Sequence, residues 1–257
     1  MGQAKDERRA SIEKARAAAE RAIKLDPRLA EPHAALGFIA YDYDWNWQAA
    51  EKEYRRAIEL NPNYPTAHHW YAYLLQNIGR NDEAIVEIKR ARELDPLSPA
   101  INRDVGETLY VARRYDEAID YLRKRLDVEP QDWRMRDVLA GVLCKEGACS
   151  KAIIETEKII AISERDSGLL FRLAALYELA DRNTDAQKIL SELKARGYQP
   201  PIDYYATTGD KDKLFAWIER MSNDRNGIIT NLKVHPIYDG IRSDPRYFEY
   251  INKLGLP

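Results

Sequence analysis

A period of 34 residues constrains this chain more than any other feature. Leu25-Asp26-Pro27, Leu60-Asn61-Pro62 and Leu94-Asp95-Pro96 are followed by Val128-Glu129-Pro130, with proline steps of 35, 34 and 34. In the same frame Gly37, Ala72, Gly106, Ala140 and Ala174 form one column, and Ala50, Ala84, Ala118, Ala152 and Ala186 form a second. The apolar column Leu36, Tyr71, Val105, Leu139 and Leu173 carries the frame beyond Pro130, through Glu164 to Tyr198, after the closing proline is lost. Such a chain stacks one supersecondary unit on the next, each burying a face that it cannot bury alone.

Each period holds two helices. Trp70, Tyr71, Leu74, Leu75 and Ile78 recur at helical steps, Gly79-Arg80-Asn81-Asp82 interrupts, and Ala84, Ile85, Ile88 and Ala91 resume. Asn81 or Asp82 is placed to cap the second helix, and the Asp-Pro or Asn-Pro pair ends it, because proline cannot continue the hydrogen-bond ladder. The small columns fit where two antiparallel helices cross, since only Gly or Ala lets the backbones approach.

With these residues the chain resembles the tetratricopeptide repeat (TPR) family. The resemblance covers about residues 6–200 and implies an all-α fold, a right-handed α-solenoid of antiparallel helix pairs. Five units are expected at 30–64, 65–98, 99–132, 133–166 and 167–200, with one extra residue near Asp44-Trp45-Asn46. Residues 6–29 read as a half repeat, the second helix only, with Ala15, Ala19 and Ala22 on its inner side. That half repeat is either a boundary inside a longer array or a natural cap.

Residues 201–257 read as a degenerate repeat and a capping segment. Ser243-Asp244-Pro245 starts a helix, Tyr247, Phe248, Ile251 and Leu254 make its apolar stripe, and Gly255 stops it. The expected role is to cover the exposed face of the last repeat, as solenoids require. The same tail resembles the closing segment of TPR regions in bacterial multidomain signalling proteins, which follow winged-helix, nucleotide-cyclase or protein-kinase domains. The matching residues are Leu232-Lys233, Pro236, Asp239, Arg242, Asp244-Pro245-Arg246 and Gly255-Leu256-Pro257. His235 stands where that pattern is usually acidic, and Tyr43-Asp44-Trp45-Asn46-Trp47 is similar to the aromatic turn of such regions.

The charges, 40 Lys+Arg against 42 Asp+Glu, give no positive field for phosphates, so no direct nucleic-acid partner is expected. Cys144 and Cys149 are too few for a disulfide scaffold, and their spacing matches no common metal motif; they read as two ordinary thiols. The histidines His33, His68, His69 and His235 form no ligand pair, and HExxH, GxxxxGK[ST], GxSxG and GxGxxG motifs are missing. No enzymatic activity, cofactor or metal is expected, and no apolar run is long enough for membrane insertion. A cytoplasmic location is expected, or a periplasmic one if a membrane span precedes the segment.

The TPR resemblance implies a concave groove lined by the first helix of each unit. On that frame the candidate partner-binding residues are Phe38, Tyr41, His69, Tyr73, Asn77, Arg103, Glu107, Tyr110, Arg134, Asp137, Phe171 and Arg172. Tyrosines outnumber phenylalanines 16 to 4, a balance suited to interfaces where rings also meet water. Some TPR cochaperones clamp a terminal carboxylate with Lys and Asn of their first repeats, but here Ala34 and Phe38 occupy the first-unit positions. The function expected is a protein- or peptide-binding module, the partner-binding or sensing region of a bacterial signalling protein. The alternative is a scaffold that self-associates into a homo-oligomer.

Overall fold

The computed structural model of the chain describes residues 2–162, 166–224 and 229–255; Glu164, Leu256 and Pro257 lie outside them. The described residues are helical and contain no strand. The helices are α1 (Gly2–Leu25), α2 (Glu31–Ile39), α3 (Trp47–Leu60), α4 (Pro65–Asn77), α5 (Asn81–Leu94), α6 (Pro99–Val111) and α7 (Tyr115–Val128). They continue as α8 (Trp133–Lys145), α9 (Cys149–Ile162), α10 (Ser167–Leu179), α11 (Asn183–Ala195), α12 (Ile202–Thr208), α13 (Lys211–Asn223) and α14 (Pro245–Leu254). The fold is an all-α solenoid of antiparallel helix pairs. The chain divides into two compact units: the first holds Met1–Ile101, Glu219–Val234 and Pro245–Pro257, the second Asn102–Ile218 and His235–Asp244.

The small columns sit at the crossings. Ala72, Ala140 and Ala174 are at most 1 % exposed, and Ala50, Ala84, Ala118, Ala152 and Ala186 are fully buried. A Cβ on Gly106 would lie 2.4 Å from a methyl of Leu122, and one on Gly37 would lie 2.8 Å from the Tyr54 ring. A side chain at either crossing would have to displace a fully buried neighbour. The extra residue of the first unit is absorbed by a π-helical turn, Ala40–Asp44, which ends on Trp45 at φ 56°. Past it the frame is exact: Trp45, Gly79, Arg113, Gly147 and Asp181, 34 apart, all take positive φ between helices.

A second column of polar pairs fastens each hairpin. In the first unit His33 Nδ1 meets Glu53 at 2.6 Å, and His68 bonds Glu87 through Nδ1 and the Pro62 carbonyl through Nε2. In the second unit Tyr121 donates to Asn102 at 2.8 Å and Arg136 pairs with Glu155. At the next step the two positions are apolar, with Ile189 packed against the cluster that holds Leu170. Two of the four histidines are therefore hairpin fasteners, which accounts for their spacing without any ligand role.

Several expectations are corrected. Neither Asn81 nor Asp82 caps α5; Arg80 precedes it without a side-chain cap and uses its guanidinium on Glu83 and Glu51. Side-chain caps include Asn46, Asp132 and Asp166, which accept from Ala49, Met135 and Leu169 N–H groups. Along α1, Ala19 is buried but Ala15 is exposed. This helix is held against the π turn by ion pairs at 2.9 Å, Arg8 to Asp42 and Arg16 to Asp44. Phe248 is 57 % exposed and outside the stripe of α14, whose Tyr247 and Leu254 are buried.

Candidate functional site

The first helices of the first unit present Phe38, Tyr41, His69, Tyr73 and Asn77. Much of this face is already covered by the chain's own tail. The Tyr41 hydroxyl lies 3.2 Å from Thr230 Oγ1, and Asn77 Nδ2 donates to both Tyr41 and Thr230. Burial, with Asp42 adding to it, pushes the Tyr41 phenol up to about 12 against the hydrogen bonds from Thr230 and Asn77. The Trp47 indole donates to the Leu254 carbonyl at 3.1 Å, and its ring meets Tyr41 edge-on. Asn77 is 2 % exposed, so it is not open to a partner. The tail itself is core, with Ile229, Leu232 and Leu254 at most 2 % exposed. Phe38 lies tilted against Trp70 at 5.0 Å and His69 against Tyr73 at 5.3 Å, with these rings half-exposed along the face.

In the second unit a 3-10 turn, Pro236–Ile241, takes a similar place. His235 Nδ1 accepts from the Ile237 N–H at 3.2 Å, so the ring proton sits on Nε2, which faces Glu107 at 3.0 Å. The imidazole thus caps the turn through Nδ1 while its Nε2 faces Glu107. Tyr110 meets the His235 ring edge-on and is 6 % exposed. Asp239 is held by Arg113 at 2.7 Å, Lys145 at 3.1 Å and Arg242 at 2.9 Å. Burial opposes ionisation of its carboxyl, but these cations hold it below the usual range. Glu107 and Tyr110 are therefore engaged by the tail, and Arg103 pairs with Asp104 at 2.8 Å.

One part of the second unit's inner face is open. Helices α8, α10 and α12 border a cavity of about 240 Å³ lined by Trp133, Asp137, Asp166, Arg172, Asp203 and Tyr204, among others. Arg172 bridges Asp137 at 2.9 Å and Asp203 at 3.9 Å. Burial raises the Asp137 carboxyl above its usual range; Arg172 opposes this, while Asp203, Glu107 and Asp166 add to it. Arg172 thus bridges two of the three carboxylates that line the cleft, while the third, Asp166, caps α10. Tyr204 donates to Glu178 at 2.8 Å and meets Phe171 edge-on. Phe171, 3 % exposed, belongs to the core with Leu170 and Leu193 and is not a contact residue. Arg134 lies over the Trp133 ring at 4.6 Å.

Of the residues expected to line one groove, Asp137 and Arg172 meet in this cleft and Arg134 borders it through Trp133. The sequence reading missed Trp133, Asp166, Asp203 and Tyr204. Asp166 was legible as the residue 34 after Asp132, both of them helix N-caps. Asp203 and Tyr204 come from the degenerate α12, where no repeat frame points to them. Among the described residues no group of three His, Cys, Asp or Glu is arranged to hold a metal ion. Among them also, no helix is long and apolar enough to cross a membrane.

Family models of the tetratricopeptide repeat match residues 53–86 and 72–132. That stretch carries TPR repeats, and the solved structures extend the same fold over the chain. A tetratricopeptide repeat protein from Parabacteroides merdae is 17% identical, with a TM-score of 0.67 over 96% of this chain and 93% of that one. PilW, a widely conserved type IV pilus biogenesis factor, is 21% identical, with a TM-score of 0.66 over 77% of this chain and 92% of its own. YrrB, a TPR protein with an unusual peptide-binding site, is 16% identical, with a TM-score of 0.51 over 77% and 98%. No curated protein matches the sequence.

Proposed function

We propose that this chain is a non-enzymatic protein- or peptide-binding TPR module whose partner places a lysine or arginine side chain in the cleft of α8, α10 and α12. The observation that carries this reading is the cavity bordered by Trp133 and Tyr204, where Asp137, Asp166 and Asp203 outnumber Arg172. A cation brought there meets fixed carboxylates and aromatic walls, and stiff helices supply the geometry in advance. The peptide-binding site of YrrB, on the same fold, supports the general role. The tail's resemblance to bacterial signalling proteins supports a place as their partner-binding or sensing region.

The test is selection of binding peptides from a displayed random library on the full chain, followed by titration calorimetry. Selected peptides should share a Lys or Arg whose replacement by Ala weakens binding tenfold or more. Asp203→Asn, at a side chain 49% exposed, should weaken the same peptides without altering the thermal melt. Peptides without a basic residue, indifferent to Asp203→Asn, would overturn the reading. Selection that fails because the chain saturates itself, seen as a dimer in sedimentation, would favour the scaffold instead.

A further inference from the structure

Cys144 lies in the last turn of α8 and Cys149 begins α9, with the exposed Lys145-Glu146-Gly147 and the half-buried Ala148 between them. Their Sγ atoms are 3.4 Å apart, and both residues are half-buried. The positive φ of Gly147, 76°, turns the chain tightly enough to bring the thiols together. Nothing packs within 4 Å of the space a Gly147 side chain would take, so the turn is open to small reagents. A disulfide needs the sulfurs to close to about 2.05 Å, a small movement for two side chains already in contact on one surface turn.

We propose that Cys144 and Cys149 form a dithiol modification site that a low-molecular-weight disulfide converts to an intrachain disulfide. Burial and the neighbouring Cys149 push the Cys144 thiol up to about 12, which makes Cys144 the slow attacker and leaves Cys149 to react first. The Cys149 thiol gives its proton to solvent, and its sulfur attacks one sulfur of the reagent, forming a mixed disulfide and expelling one thiolate. Cys144 then gives up its proton, and its sulfur attacks the Cys149 sulfur, expelling the second thiolate. Both expelled thiolates take up protons, so the reagent is reduced by two electrons and the protein loses two hydrogens. The new bond clamps the end of α8 to the start of α9, beside Lys145, which holds Asp239.

The test equilibrates the full chain in buffers of glutathione and glutathione disulfide and reads intact mass and linked fragments. The linked Cys144–Cys149 form should accumulate in proportion to disulfide over thiol squared, the law for an intrachain bond. Cys144→Ser should stop at a stable glutathione adduct on Cys149, and dithiothreitol should restore the starting mass of both proteins. Wild-type chain that only accumulates adducts, in proportion to disulfide over thiol to the first power, would overturn the proposal. So would linkage that appears only between two chains. The wild-type scaling decides the matter even if the serine variant folds poorly.

Discussion

The two units use the same repeat frame for different ends. In the first, much of the inner face is covered by its own chain: Tyr41, Asn77 and Thr230 share hydrogen bonds and Trp47 holds the Leu254 carbonyl. In the second, the tail turn takes Glu107, Tyr110, Arg113 and Lys145 but leaves the cleft of Trp133, Asp137, Arg172 and Asp203 open. The hairpin fasteners differ as well, His–Glu in the first unit against Asn–Tyr, Arg–Glu and Leu–Ile in the second. Backbone register thus fixes where a side chain sits, while the local neighbour decides whether that position is packed over or left open.

The largest expected effect comes from removing the tail from residue 229 onward. Ile229, Leu232, Tyr238, Ile241 and Leu254 are each at most 2 % exposed. Burial of one such side chain is worth about 1.5–3 kcal/mol, so their joint loss rivals the whole stability of an ordinary domain, about 5–15 kcal/mol. The shortened chain should bind a hydrophobic dye and lose its cooperative melt by circular dichroism. An unchanged melt would show that the tail is a detachable cover. A smaller effect separates the two tail contacts. Asn77→Ala leaves a buried hydroxyl pair short of a donor and should cost about 1–3 kcal/mol, whereas Glu107→Gln, partly exposed and facing a histidine, should cost under about 1 kcal/mol. Urea midpoints that reverse this order would contradict the deeper burial of the first unit's tail contact.

Smaller still, two carboxyls of the second unit should respond to pH with opposite signs. Asp239 is held below its ordinary value, so its stabilisation is present above about pH 4 and is lost as pH falls through the folded value. The melting difference between wild type and Asp239→Asn should therefore shrink in acid. Asp137 is held above its ordinary value, so the native state binds its proton more tightly than the unfolded chain does. Wild type should lose stability relative to Asp137→Asn as pH rises from about 4 through the raised value. Parallel slopes for the two variants would mean that Asp137 is not held above its ordinary value in the folded chain. The smallest effect is at the turns: Asp181, exposed at φ 58°, occupies the place that Gly79 and Gly147 take elsewhere. Asp181→Gly should raise stability by about 0.5–1 kcal/mol, and a loss in thermal melting would show a side-chain role there.

The helix pairs and their crossings were legible because the demand for small residues repeats: Leu122 lies against Gly106 and Tyr54 against Gly37, and small residues return to that column at every repeat. The extra residue near Asp44 was legible as a count, though its resolution into a π turn was not. The residues of the inner face were harder to read. Asn77, Tyr110 and Phe171 stand at inner-face positions, yet packing partners far along the chain or outside the repeat frame bury them: Thr230, His235 and Tyr204. No local pattern announces such contacts. Even so, Asp137 and Arg172 could be named beforehand because the frame alone brings them to the same face, one repeat apart.

Hydrogen exchange of the full chain with and without a saturating selected peptide tests the central claim most directly. The account predicts new protection in α8, α10 and α12 around Trp133, Asp137, Arg172 and Asp203, with exchange at residues 229–234, α2 and α4 unchanged. Protection of α2 and α4 together with faster exchange at 229–234 would contradict it, because the peptide would then have displaced the tail from the first unit and left the cleft empty.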